Sequence, residues 1–147
     1  MYQQFKSSFS KIVVVAALGY FVDIYDLVLF GMERVASLTD ILKDTYTDPA
    51  ELKKQVTEVG ANLLSYQMIG MLVGGLFWGI LGDKKGRLTV LFGSIITYSL
   101  ANIANGFVTD TFWYGILRFV SGFGLAGELG AGITLVSETM KKEDRGI

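Results

Sequence analysis

The chain alternates long apolar runs with short charged stretches. Four runs predict membrane-length helices over residues 12–32, 59–81, 88–108 and 112–137, which together hold 91 of the 147 residues. About 20 apolar residues, rising 1.5 Å each, cross a hydrocarbon core of about 30 Å. The second and third runs contain no Asp, Glu, Lys or Arg. The predicted fold class is therefore an all-α membrane protein with four transmembrane helices. Residues 33–58 form the long connection, where six acids accompany four bases. Within it, Asp48-Pro49-Ala50-Glu51 places an N-cap Asp, a Pro at the first helical position and a Glu at the third. The second helix is expected to begin there, before its apolar run; a plain turn at Pro49 is the competing reading.

Composition sharpens this picture. The sequence is 51% hydrophobic and 18% charged, with 18 Gly, one Pro, no Cys and no His. Disulfides, thiolate chemistry, imidazole-ligated metals and imidazole proton relays are excluded. A net charge of −1 offers nothing to nucleic acid. No nucleophile stands with a base and no nucleotide-binding loop is present, so neither an enzyme nor a cofactor is expected.

Orientation follows the Lys/Arg bias of the connections. Lys6, Lys11, Lys84, Lys85, Arg87, Lys141, Lys142 and Arg145 fall on one side, whereas Arg34, Lys43, Lys53 and Lys54 fall on the other among acids. Both termini are therefore expected in the cytoplasm and 33–58 outside, in a cell (inner or plasma) membrane. A signal peptide competes for the first run, because Lys6 and Lys11 precede an apolar stretch. No small-residue cleavage site follows Val22, and the apolar pattern resumes after Asp26, which favours a span.

Four charges sit inside the runs: Asp23 and Asp26 in the first, Arg118 and Glu128 in the fourth. Each costs about 2.5–3.5 kcal/mol at a helix centre, so these groups are expected to face the protein interior or water. Asp23 and Asp26, three apart, share a helix face. Three acids face one base, and at least one of Asp23, Asp26 and Glu128 is expected to carry a proton. Such a carboxyl can load a proton on one side and release it on the other as Arg118 approaches or withdraws. The alternative is a structural ion pair between Arg118 and an acid.

Glycines mark the second helix (Gly70, Gly74, Gly75, Gly79, Gly82) and the fourth (Gly122, Gly124, Gly127, Gly130, Gly132). They predict close helix approach, since packing drives association in lipid. The turn Gly79-Ile80-Leu81-Gly82-Asp83-Lys84-Lys85-Gly86-Arg87 closely resembles the signature loop between helices two and three of the major facilitator superfamily. It departs from that pattern at Gly82, Lys84 and Leu88. The segment from Arg118 to Glu128 resembles the family's fourth-helix pattern, and Glu138 with Arg145-Gly146 its ending. Asp23-Ile24-Tyr25-Asp26 followed by Gly31 resembles phosphate–proton and metabolite–proton symporters, and Glu128 in Ala-Gly-Glu-Leu leans to the metabolite branch.

That resemblance implies two six-helix halves rocking about a central site. It implies that Gly79, Gly82, Asp83, Gly86, Arg87, Glu138 and Arg145 belong to a cytoplasmic gate. It also implies that Asp23, Asp26, Arg118 and Glu128 couple protons to substrate in the cavity. Tyr66 and Gln67 are further candidate substrate contacts, although each could equally bond a neighbouring helix. The expected function is proton-coupled symport of a small polar solute, a carboxylate metabolite or phosphate; sugar porters and drug–proton antiporters are the rivals within transport. The expected partners are that solute, protons and the lipid bilayer. Four spans against twelve lead to the expectation of a fragment of a longer carrier, partnered by the remaining helices. The competing expectation is a non-transporting four-helix protein that assembles with other copies.

Overall fold

The computed structural model describes the backbone of residues 2–139 and the side chains of Leu18, Tyr20, Phe21, Ile24, Tyr25 and residues 27–134. Four helices follow one another: α1 Tyr2–Leu42, α2 Pro49–Lys85, α3 Arg87–Asn105 and α4 Thr111–Thr139. Among the described residues there is no strand. Three helical segments among the described residues, Pro49–Lys85, Arg87–Asn105 and Thr111–Thr134, are long and apolar enough to cross a membrane. The first expected span, 12–32, lies within α1, and about half of its side chains, Asp23 and Asp26 included, fall outside the described residues.

The helices outrun the apolar stretches. α1 continues ten residues beyond 32, because Leu38, Ile41 and Leu42 recur at helical spacing and bury a face against Leu52, Val56 and Val59 of α2. α2 opens where Asp48 predicts: its φ of −79° and ψ of 121° are extended, and its carboxylate accepts the Ala50 N–H at 3.3 Å. Only 43–48 of the connection expected over 33–58 is non-helical. An antiparallel α1–α2 hairpin results. Leu38 touches the backbone at Gly60, and the Arg34 Nη1 donates to the Gly60 carbonyl at 3.3 Å.

At the opposite end α2 turns into α3 through one residue. Gly86 has φ 90° and ψ 151°, a conformation a side chain would strain, and its N–H returns to the Gly82 carbonyl at 3.0 Å. α4 opens at Asp110, whose carboxylate accepts the Phe112 N–H at 3.0 Å.

α4 is the centre of the bundle and touches all three other helices. It runs parallel to α2 in four layers: Tyr66 on Gly115, Gly70 on Phe119, Gly74 on Phe123, and Trp78 on Gly127. Each layer advances both helices by four residues and sets a large residue against a glycine, so the i, i+4 ridges interlock. A Cβ on Gly70 or Gly74 would overlap the Phe119 or Phe123 carbonyl oxygen, and one on Gly122 that of Gln67. The Trp78 Nε1 donates to the Phe123 carbonyl at 2.8 Å and so ties the seam together. α3 packs antiparallel on α4, with Ser94 and Tyr98 against Gly127 and Gly124, and Ser121 Oγ 3.3 Å from Asn102 Oδ1.

The outward surface is apolar: Leu72, Leu76, Phe92, Leu100 and Ile103 are each more than 60% exposed. In water such a surface would aggregate; against lipid tails it is matched to its solvent.

Candidate functional site

Arg118 is the one described charged side chain that is buried, at 7% exposure. It lies on the edge of α4 that faces α1, one turn after Tyr114. Its guanidinium carbon stands 3.5 Å from the Phe30 ring centroid and 5.7 Å from that of Tyr114. The two rings meet edge to face at 6.3 Å, and both are buried. An aromatic face is negative at its centre, so it attracts a guanidinium stacked on it.

Gln67 is 2% exposed and lies on the α2 face that meets α4, its carbonyl against Gly122. Neither its Oε1 nor its Nε2 has a hydrogen-bond partner among the described residues. A buried amide left so costs about 1–3 kcal/mol per group.

Tyr66, its neighbour in sequence, is half exposed and packs its ring on Gly115. It lines a groove of about 560 Å³ on the flank of α2 and α4, with Asn62, Thr111 and Phe119. The structure thus separates Tyr66 from Gln67. Adjacent helical residues differ by about 100° and cannot share a face.

Glu128 is half-buried on α4, ten residues beyond Arg118. At 1.5 Å per residue the two lie about 15 Å apart along the helix axis, so they are not paired with each other. Asp23 and Asp26 lie on α1, with Asp26 one turn before Phe30; the side chains of both fall outside the described residues. Glu138 is in the last turn of α4 with its side chain outside them, and Arg145 is wholly outside.

At the Gly86 turn the Arg87 Nη2 bonds the Asp83 Oδ1 at 2.9 Å, an i, i+4 pair spanning the helix break. Gly82 is buried beneath the Arg87 side chain, whose Nη1 would come within 2.9 Å of a Cβ there. Gly79 meets nothing within 4 Å, and Lys84 and Lys85 are exposed. The structure therefore gives three of these residues a common task. Gly86 turns the chain, Gly82 admits the arginine, and Asp83 holds it. Phe30 and Tyr114 escaped the sequence reasoning, although Tyr114 stands four before Arg118 and Phe30 four after Asp26. Apolar aromatics in apolar runs carry no distinguishing mark.

A lipid-matched helical bundle with a buried arginine at its core defines a multi-pass membrane protein. Residues 16–147 match the Major Facilitator Superfamily, and the chain belongs to that family. Its four helices correspond to the first part of the family's twelve-helix fold. Among relatives, it is similar to the "Niacin transporter NiaP" of Acinetobacter baylyi, 34% identical over 132 residues, which are 90% of this chain and 27% of that protein. It is equally similar to the "Inorganic phosphate transporter 1-1" of Oryza sativa subsp. japonica, 34% identical over 146 residues, covering 91% of this chain and 26% of that protein. The chain spans about a quarter of the length of these relatives. No solved structure matches it.

Proposed function

We propose that this protein forms part of a proton-coupled symporter for a small anionic solute, a carboxylate metabolite or phosphate, working by alternating access. The observation that carries this reading is the buried Arg118 guanidinium on α4. A permanent cation inside a membrane bundle is costly to keep, and such groups mark substrate and ion pathways. The relatives named for niacin and for inorganic phosphate support the choice, since both solutes are anions at neutral pH. Arg118 binds the anion in this reading, and the buried Gln67 amide is a further polar contact. Asp23, Asp26 and Glu128 carry the proton. The Gly86 turn, with Gly79, Gly82, Asp83 and Arg87, belongs to a gate with Glu138 and Arg145. The distribution of bases supports a cytoplasmic position for that gate and for both termini, in the cell membrane. The solute pathway is completed by further helices, either continuous with this chain or from other copies of it.

The test is uptake of radiolabelled niacin and of phosphate into proteoliposomes, with and without an imposed inward proton gradient. Gradient-dependent accumulation, abolished by Asp26→Asn, is the expected result. Uphill accumulation by Asp26→Asn would end the coupling role assigned to Asp26. Uptake indifferent to the gradient would make the protein a uniporter. Translating the coding frame beyond Ile147 distinguishes continuous helices from an assembly of copies.

A further inference from the structure

We propose that Phe30 is the positioning residue for Arg118: its ring caps one face of the guanidinium and so fixes the plane in which this cation offers its N–H donors to an anion. The inference rests on the reading of Arg118 as the anion contact, and it adds a specificity device that the charged residues alone do not supply.

With the guanidinium carbon 3.5 Å from the Phe30 centroid, the two groups are in contact. One face of the cation is thereby closed to any ligand. All five donors of an arginine lie in the guanidinium plane, so a capped guanidinium binds edge-on only. Edge-on approach matches two oxygens of a planar carboxylate, or two of a phosphate, in a bidentate pair. It does not suit a neutral polyol, whose hydroxyls carry no paired anionic oxygens.

The ring is itself held. Phe30 is 4% exposed, meets Tyr114 edge to face, and belongs to the apolar cluster with Leu38, Val56 and Leu63. Its position is set by the α1–α2 hairpin, while Arg118 is set by α4. The contact therefore joins the helix carrying Asp23 and Asp26 to the helix carrying the cation. The negative face of the ring also attracts the cation that it positions.

The experiment reads Arg118 directly, in the full chain in lipid vesicles. Phenylglyoxal modifies accessible arginines, and peptide mapping separates Arg118 from Arg34 and Arg87, which serve as internal controls. With Phe30→Leu, Arg118 is expected to be modified several-fold faster, and protection by niacin or phosphate to need about tenfold more anion, the scale of a desolvated cation–π contact. Phe30→Tyr keeps the π face and is expected to restore both values; sucrose is expected to protect neither variant. Modification of Arg118 at the wild-type rate in Phe30→Leu, with Arg34 and Arg87 also unchanged, would overturn the cap. Faster modification at all three arginines reports general loosening. The milder Phe30→Met then decides, supporting the cap only if Arg118 alone accelerates and overturning it otherwise. Should neither anion protect wild-type Arg118, the anion-transport reading fails, while the unprotected rates still decide the cap. In uptake assays the positioning role predicts a raised KM at nearly constant maximal rate.

Discussion

Two helix contacts in this molecule are built on opposite principles. Along the α2–α4 seam, glycines let the backbones touch in layer after layer, with Trp78 bonded to the Phe123 carbonyl. Between α1 and α4, contact is made by long side chains, the Phe30 ring lying on the Arg118 guanidinium and against Tyr114. Backbone-to-backbone contacts have no side-chain torsions to adjust, so the seam holds one arrangement. Ring-on-guanidinium contacts tolerate sliding, because dispersion and the quadrupole field vary smoothly over the face. The seam is suited to hold α2 and α4 together as a unit, and the α1 joint to change.

The largest way to break the comparison is to place a side chain in the seam. Gly70→Leu or Gly122→Leu forces overlap with a carbonyl oxygen, and a loss of about 3 kcal/mol or more is expected, with unfolded or aggregated protein in size-exclusion chromatography from mild detergent. Next comes Gly86→Ala, which sets a Cβ on a residue at φ 90°; about 1–3 kcal/mol is expected, read as an earlier thermal unfolding midpoint. Trp78→Phe removes the indole donor while keeping an aromatic, and about 1–2 kcal/mol is expected by the same measurement. Gly75→Ala and Gly79→Ala sharpen the contrast from the other side. Nothing lies within 4 Å of either Cβ, so each is expected to leave the midpoint unchanged or raise it, by no more than about 1 kcal/mol of helix propensity. A drop comparable to that of Gly70→Leu would show that glycine content, rather than contact, sets the seam. The smallest effect belongs to Asp83→Asn. Its pair with Arg87 is solvent-exposed, and about 0.5 kcal/mol or less is expected, so any large change in uptake would speak for the gate rather than for stability.

Several features were legible because they are local. The Asp48-Pro49 start of α2 needs only the chemistry of one turn, and the Gly86 reversal only a residue without a Cβ. Membrane-length apolar runs needed no tertiary knowledge either. The polar extension of α1 to Leu42 was less visible, because a reading tuned to apolar runs stops at the charges Glu33 and Arg34. Its signal was the helical spacing of Leu38, Ile41 and Leu42, an amphipathic rather than a hydrophobic cue. Tyr66 and Gln67 show a different limit: side by side in sequence, they fall on different faces, one half exposed and one buried.

The sequence by itself determined the helical membrane class, the family and which ionisable groups lie in the apolar runs, since these depend on composition and short spacings. It also marked α2 and α4 as closely packed helices, because clustered glycines have few other uses in a membrane span. Only the tertiary structure decided which glycines are contacts and which are open. It also decided that Arg118 and Glu128 are not a pair, and that an ordinary phenylalanine 88 positions away is the cation's nearest aromatic companion. The physical reason is that a face-to-ring contact depends on the register between two helices, and register is a property of the packed bundle rather than of either helix alone.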